Sequence, residues 1–138
     1  MSKSSVKLYD STLRDGAQTK GVNFSLDDKF KIYKLLSDIG VDYIEGGWPG
    51  ANPTDDTFFK KVSHQSKSKL VAFGMMRKSG KSANNDPGLN AVLNSGVSSV
   101  CLVGKTWDFH VKTALKTSLD ENLEMIPVSY THLTLPTK

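Results

Sequence analysis

The sequence has little of several features that often define a protein class. Its 138 residues include a single cysteine, Cys101, so neither an intrachain disulfide nor a cysteine-based zinc site can form. Cys101 lies in an apolar segment, which predicts a small core residue rather than a nucleophile. No apolar run approaches the roughly 18 residues of a membrane span, and the N-terminus has no signal-peptide pattern. These absences predict a cytoplasmic protein without a membrane partner.

Arginine is also scarce, because Arg14 and Arg77 are the only two among 18 basic residues. The lysines are interspersed with acidic residues, as in 26–31 (LDDKFK), and are not concentrated in one segment. This pattern predicts a solvated lysine-rich surface, including Lys29, and no nucleic-acid partner. Arg14 differs from the lysines, since it follows an apolar segment and directly precedes Asp15.

Segments with strand-like and helix-like patterns alternate along the chain. The predicted strands are 7–13, 41–48, 70–76 and 98–103. Helices are predicted to begin at Ser25 (running to Ile39 and ended by Gly40), Asn52–Pro53, Asp86–Pro87 and Ser118, with a short helical candidate over 107–115. Strands alternating with helices predict an α/β fold with a parallel sheet built from right-handed crossovers.

The C-terminal segment 127–138 (PVSYTHLTLPTK) does not fit this alternation. Pro127 follows a helix that has just begun and is expected to end it. The segment resembles translated vector or adaptor sequence, which predicts a non-native or disordered tail after a domain comprising residues 1–126. The alternative is a genuine but irregular C-terminal extension, since chain termini are often loose.

The segment 9–18 (YDSTLRDGAQ) contains the strongest chemical signal in the sequence. Arg14 and Asp15 follow a predicted strand and precede a glycine turn, and ligands bind at the carboxyl ends of strands in parallel α/β folds. A carboxylate there offers a hard oxygen ligand for a divalent cation, and an arginine stabilises a developing oxyanion. The amide of Gln18 adds a hydrogen-bonding group. The alternative is a plain surface ion pair between Arg14 and Asp15.

Residues 10–18 (DSTLRDGAQ) resemble the signature of the DRE-TIM metallolyases, which include isopropylmalate, homocitrate and citramalate synthases and the HMG-CoA lyases. Three further segments are similar to the citramalate synthase branch of this family, namely 40–53, 69–76 and 103–111. The resemblance extends over residues 6–126. It implies an α/β fold that forms the N-terminal half of a TIM (β/α)8 barrel, with about four βα units.

The resemblance also implies a reaction, a divalent-metal-dependent Claisen condensation of acetyl-CoA with pyruvate. Its products are citramalate and CoA, and the reaction belongs to isoleucine biosynthesis. The metal is expected to be Mg²⁺, Mn²⁺ or Zn²⁺, and the whole enzyme is expected to be a homodimer. Two alternatives remain, a 2-isopropylmalate or homocitrate synthase of the same superfamily and a non-catalytic small α/β binding domain.

Individual residues take their expected roles from the resemblance. Asp15 matches the family's metal-ligand aspartate, and Arg14 matches the catalytic arginine that binds the keto acid and stabilises negative charge. Gln18 matches the amide at the edge of the substrate site. Glu45 matches the acidic catalytic-site residue that borders the metal at the end of the second strand. His110 follows the fourth strand, where it would contact the substrate or serve a structural role.

Other features of the family are missing from the sequence. The family completes its metal site with an H-x-H pair on a later strand, and no H-x-H occurs in these 138 residues. Asp15 alone supplies too few ligands to hold a divalent ion tightly, so the chain by itself is expected to be inactive.

Asp10 is expected to hold the strand end, and Trp48 and Phe73 are candidates for an apolar wall beside the methyl group of pyruvate.

Overall fold

The computed structural model describes residues 6–63 and 66–134, and its regular elements alternate as the sequence predicts. The strands are β1 (Tyr9–Asp10), β2 (Tyr43–Gly47), β3 (Lys69–Met75) and β4 (Ser99–Val103). The helices are α1 (Leu26–Ile39), α2 (Pro53–Lys61), α3 (Pro87–Leu93), the short α4 (Asp108–His110) and α5 (Leu119–Thr134). Within these described ranges, no helix is long and apolar enough to cross a membrane.

The four strands form one parallel sheet, in which each strand pairs with its successor in the order β1-β2-β3-β4. The predicted α/β class with a parallel sheet is therefore confirmed. Strand β1 is shorter than the predicted 7–13, because the chain turns at Ser11. The Ser11 carbonyl accepts hydrogen bonds from the backbone N–H groups of Arg14 (3.1 Å) and Asp15 (2.8 Å). All four strands end at the same edge of the sheet, where this turn lies.

Side chains on one face of the sheet form the hydrophobic core with the helices. Ile44 on β2 and Ala72 on β3 are fully buried, and they pack in one cluster with Phe58 of α2. Because neighbouring strand residues point to opposite faces, Glu45 lies on the other face of β2, as does its register partner Val71 on β3. The sheet therefore separates a helix-packed face from a face that carries a buried acidic group.

The helix ends follow the signals in the sequence. Ser25 and Asp28 form the predicted capping box of α1, in which the Ser25 hydroxyl accepts from the Asp28 N–H (3.2 Å) and the Asp28 carboxylate accepts from the Ser25 N–H (3.0 Å). Gly40 ends α1 with φ +92°, a left-handed conformation that glycine adopts without strain. Asn52 and Asp86 cap α2 and α3 through side-chain oxygens that accept backbone N–H groups. The predicted starts of these three helices are confirmed.

Lys29 is buried, so the prediction that it belongs to the solvated lysine surface is wrong. The residue is 2% exposed, and its Nζ donates to a carboxylate oxygen of Asp55 and to the Leu13 carbonyl (3.2 Å). A buried ammonium group requires an opposite charge and hydrogen-bond acceptors, and here both come from outside α1. The charge pattern along α1 did not reveal this, because the counter-charge lies 26 residues later, in α2.

Helix α5 runs through Pro127, so the expectation that this proline ends the helix is wrong. Proline removes one N–H from the helical hydrogen bonds, but contacts in the next turn hold the helix in place. The Ser129 hydroxyl donates to the Met125 carbonyl (2.6 Å) and accepts from the Arg77 backbone N–H (2.8 Å), and Ser129 is fully buried. The non-native origin of the C-terminal segment stays a prediction, and residues 135–138 lie outside the described part of the chain.

Ile44→Val should lower the free energy of unfolding by about 1 kcal/mol, because it removes a methyl group from a fully buried position in β2. Ile39→Val is the matched control. Ile39 is 77% exposed at the end of α1, so the same change should alter stability by less than about 0.5 kcal/mol. Urea unfolding followed by circular dichroism measures both variants. Equal effects would contradict the assignment of Ile44 to the core.

Candidate functional site

The turn after β1 presents Arg14 and Asp15 at the carboxyl edge of the sheet. Asp10, the last residue of β1, fixes the start of this turn. Its carboxylate accepts hydrogen bonds from the backbone N–H (2.9 Å) and the hydroxyl (3.0 Å) of Thr12. Asp10 therefore has the structural role at the strand end that was expected of it, and both of its carboxylate oxygens are engaged within the turn.

Glu45 is the buried acidic group of the site. Its side chain is 1% exposed, and each carboxylate oxygen accepts one hydrogen bond, Oε2 from Arg14 Nε (2.7 Å) and Oε1 from the Tyr9 hydroxyl (2.9 Å). A buried carboxylate needs a counter-charge and donors for its oxygens, and these two residues supply both. The structure thus places the predicted Arg14 and Glu45 in direct contact. It adds Tyr9, whose only signal in the sequence is its position in the strand before the motif.

Carboxylates bind the N–H edge of the Arg14 guanidinium group, and an aromatic ring packs against its face. Besides the bond to Glu45, its Nη1 binds Asp15 Oδ1 (3.1 Å), and its central carbon lies 4.2 Å from the centre of the Phe73 ring. Phe73 in turn contacts the Trp48 ring edge-to-face, with 5.1 Å between centroids. The pair of Arg14 with Asp15 is therefore more than a surface ion pair, since it belongs to a cluster that fixes a planar cation in one orientation.

Tyr9 has a perturbed titration. Although 49% of the residue is exposed, its hydroxyl is bonded to the buried Glu45. Burial of the phenol, its hydrogen bond to Glu45 and the neighbouring thiol of Cys101 raise the pKa of Tyr9 above its ordinary value of 10.0. The phenol therefore stays protonated and remains the donor that Glu45 requires.

Cys101 on β4 is a free thiol of intermediate exposure, less buried than the predicted core position.

Among the described residues, no side-chain hydrogen bond joins Gln18 or His110 to this cluster. Gln18 is the last residue of the motif and lies in a one-turn helix, Gly16–Gln18, where its backbone N–H donates to the Asp15 carbonyl (3.0 Å). His110 ends α4, and its exposed ring lies against Trp107 with 4.6 Å between centroids. Strand β4, which precedes His110, is the strand furthest from β1 in the sheet. The substrate contacts of both residues therefore stay predictions.

The described residues provide one candidate ligand for the divalent metal that the resemblance implies. Across 6–63 and 66–134, no group of three or more His, Cys, Asp or Glu side chains could hold a metal ion. Both oxygens of Glu45 already accept hydrogen bonds, whereas the Asp15 side chain is 64% exposed and has one oxygen bound to the arginine. Asp15 therefore fits as a single oxygen ligand, and a complete donor set would need further ligands from beyond these residues.

A cavity of about 500 Å³ opens at the same edge of the sheet. Its walls are formed by the ends of β3 and β4 and by α5, and include Trp48, Met76, Val103, Lys105 and Met125. This volume suits a small organic ligand. Because Trp48 both lines the cavity and contacts the aromatic ring beneath the guanidinium, the cavity adjoins the arginine site.

Tyr9→Phe should destabilise the protein by about 1–3 kcal/mol at neutral pH, because one oxygen of a buried carboxylate loses its donor. The pKa of Tyr9 is raised in the folded state. Its stabilising contribution is therefore complete below its ordinary pKa of 10.0 and is lost as the pH rises further. The difference in stability between the wild type and Tyr9→Phe should shrink over that alkaline range.

Urea unfolding at a series of alkaline pH values measures this difference. Tyr130→Phe is the control, because it removes the hydroxyl of a 65% exposed ring on α5 and should leave the alkaline loss of stability in place. A difference between wild type and Tyr9→Phe that stays constant above pH 10.0 would contradict the role given to the Tyr9 hydroxyl.

The amino-acid sequence of this chain is similar to those of two groups of curated enzymes. The chain is 49% identical over 123 residues to an (R)-citramalate synthase of Aquifex aeolicus, covering 88% of this chain and 23% of that protein. It is 31% identical over 121 residues to a 2-isopropylmalate synthase of Sulfurisphaera tokodaii, covering 88% of this chain and 30% of that protein. The chain therefore spans about a quarter of the length of the curated relatives it matches.

The fold also has a counterpart among solved structures. A crystal structure of hydroxymethylglutaryl-CoA lyase from Pseudomonas aeruginosa is similar with a TM-score of 0.69 and 24% sequence identity, covering 93% of this chain and 43% of that chain. The expected half of a TIM barrel is thereby confirmed, since the four parallel strands and their helices match less than half of a longer barrel. The HMGL-like family profile matches residues 5–129, and the chain accordingly belongs to the HMGL-like family, as its DRE-TIM signature predicts.

Proposed function

We propose that the chain is the N-terminal part of a citramalate synthase, which condenses acetyl-CoA with pyruvate and releases citramalate and CoA. The observation that supports this most directly is an arginine held in one orientation beside an exposed carboxylate at the carboxyl edge of the sheet. A fixed cation suits a 2-oxo acid, whose keto oxygen becomes negative during the reaction. Sequence identity is also higher to the citramalate synthase, at 49%, than to the 2-isopropylmalate synthase, at 31%.

In the proposed reaction, a base removes a proton from the methyl group of acetyl-CoA, and the resulting carbanion attacks the keto carbon of pyruvate. The keto oxygen becomes an alkoxide and takes up a proton, and water then hydrolyses the thioester to release CoA. Arg14 donates to the developing oxyanion through guanidinium N–H groups that do not face Glu45. Because its orientation is already set in the protein, little reorganisation accompanies the charge development.

Glu45 is proposed as the residue that orients Arg14. Both of its carboxylate oxygens accept hydrogen bonds from side chains of the protein itself. A general base needs a carboxylate oxygen within reach of the proton that it removes. We therefore assign Glu45 to the support of the arginine, and we propose that another residue of the whole enzyme acts as the base.

Asp15 is the residue of this chain that would ligate the family's divalent ion, Mg²⁺, Mn²⁺ or Zn²⁺. Such an ion, when bound, supplies Lewis-acid polarisation of the keto group. Trp48 and Phe73 are proposed as the apolar wall beside the methyl group of pyruvate, because they pack together next to the guanidinium. Gln18, in the one-turn helix after Asp15, and His110, at the end of α4, are proposed as further substrate contacts.

The proposed wall also bears on the choice of substrate. A 2-isopropylmalate or homocitrate synthase acts on a longer 2-oxo acid, and we propose that the packed rings of Trp48 and Phe73 leave no room for such a side chain. Pyruvate, with a methyl group only, avoids this conflict. By its resemblance to the citramalate branch, the whole enzyme is proposed to be a cytoplasmic homodimer that acts in isoleucine biosynthesis.

A chimera tests the proposed substrate. Residues 6–126 replace the matching segment of the Aquifex aeolicus relative, and release of CoA is followed with a thiol reagent for pyruvate, 2-oxoisovalerate and 2-oxoglutarate. We expect kcat/KM to be highest with pyruvate. The unmodified relative is the positive control, and the 138-residue chain alone, proposed to be inactive, should release no CoA. Preference for either longer acid would contradict citramalate synthesis.

Arg14→Met in this chimera should lower kcat by about 10²–10³-fold, because the developing oxyanion loses its fixed cation. Lys20→Met is the matched control, since it removes a positive charge from an exposed residue shortly after the same motif. This control should leave kcat nearly unchanged. Similar rates for the two variants would show that the arginine does not act on the reacting atoms.

A further inference from the structure

The buried ion pair between Lys29 and Asp55 connects the ends of β1 and β2. The Lys29 ammonium donates to the Asp55 carboxylate and to the carbonyl of Leu13 (3.2 Å), the residue directly before Arg14. The other Asp55 oxygen accepts the backbone N–H of Trp48 (2.8 Å), the residue directly after β2. The pair therefore extends from α1 and α2 to the two loops that carry the guanidinium and its aromatic neighbour.

The backbone around this pair allows an unusually close approach. Gly47, the last residue of β2, has φ +149°, and a Cβ atom there would lie 2.6 Å from the Asp55 carboxyl carbon. Asn52, the N-cap of α2, accepts the Asp55 N–H through its side-chain oxygen (2.8 Å) and so holds the helical turn that carries Asp55. Lys29 Nζ also lies 5.3 Å from the centre of the Phe58 ring. Both partners are thus restrained by several contacts.

Stability alone is a weak reason for such a pair. Well-packed apolar residues of similar volume often serve a core at least as well, because taking two charges out of water is costly. An apolar pair, however, could not hydrogen-bond the Leu13 carbonyl and the Trp48 N–H, which are backbone groups of the two site loops. Strand β1 contributes only two residues to the sheet, so the loop that follows it depends on contacts of this kind.

We propose that Lys29 and Asp55 are positioning residues, which hold the loop after β1 so that Arg14 keeps its hydrogen bond to Glu45. The ammonium fixes the backbone on the helix side of this loop, while the Glu45 carboxylate binds the next side chain on the opposite face of the sheet. The catalytic consequence of this positioning rests on the proposed function. The positioning itself does not, because it concerns contacts within the chain.

The scarcity of arginine makes this proposal testable by NMR in the 138-residue chain. Arg14 and Arg77 are its only arginines, so the side-chain Nε–H region of a ¹⁵N spectrum contains two signals. Arg14 Nε–H donates to Glu45, whereas Arg77, which is 7% exposed and bound to Glu121, reports on a separate part of the fold. Lys29→Met should speed the exchange of the Arg14 Nε–H with water by about tenfold, through loss of a charge-assisted hydrogen bond, and leave the Arg77 signal unchanged.

A double variant keeps the test decisive if the single variant fails to fold. Lys29→Met leaves the Asp55 carboxylate buried without a counter-charge, whereas Lys29→Met/Asp55→Asn removes both charges at nearly constant volume. The double variant should fold and keep the Arg77 signal. Its Arg14 Nε–H should still exchange rapidly, because the Leu13 carbonyl has lost its donor.

Lys31→Met is the matched control, because Lys31 is an exposed lysine on the same helix and should leave both arginine signals unchanged. Exchange of the Arg14 Nε–H at the wild-type rate in the double variant would overturn the proposal. Equal changes in the Arg14 and Arg77 signals would also overturn it, since they would indicate a general loss of stability rather than a loss of positioning.

The same variants in the chimera test the catalytic consequence. A misplaced guanidinium should lower kcat by about tenfold with little change in the KM for acetyl-CoA, because the interaction lost is one made in the transition state. An unchanged kcat in the double variant would overturn this part of the proposal. A chimera with wild-type residues that does not convert pyruvate would refute the proposed function, while the NMR result would still decide the positioning role.

Discussion

The carboxylate of Glu45 is the group around which the described part of the site is organised. At 1% exposure it requires a counter-charge and a donor for each oxygen from within the protein. Arg14 and Tyr9 meet this requirement from β1 and the turn that follows it. Phe73 on β3 then covers the face of the guanidinium. One buried charge on β2 therefore sets the relation between three consecutive strands and the orientation of a single cation.

A second buried charge acts on the same loop from the helix side of the sheet. Lys29 binds the carbonyl of Leu13, while the side chain of the next residue binds Glu45 on the opposite face. Two adjacent residues are thus restrained from two directions by two separate ion pairs. This arrangement accounts for charged residues within the packed faces of α1 and α2, where an apolar pair would bury surface but leave the loop backbone without partners.

Features encoded by short sequence separations were predictable, and features that depend on distant partners were not. The capping box at Ser25 and the left-handed Gly40 follow from residues within one helical turn, and the motif correctly located an arginine and an aspartate at a strand end. The burial of Lys29 depends on a partner 26 residues away, and the bond from Tyr9 to the acidic group spans 36 residues. The passage of α5 through Pro127 is accompanied by a contact across 52 residues. Strand alternation could have placed Tyr9 on the face that carries the acidic group, but pairwise contact needed the register.

The order of the strands in the sheet follows their order in the chain, so every strand pairs with the one synthesised just before it. The pairing of β2, β3 and β4 therefore requires only a strand that precedes each of them in the chain, so the contacts between strands are of short sequence separation. Arg14 and Glu45 belong to the first two strands to pair. Both groups of this ion pair therefore leave the ribosome before β3 and β4, so the partners of the buried carboxylate are all encoded ahead of the later strands of the sheet.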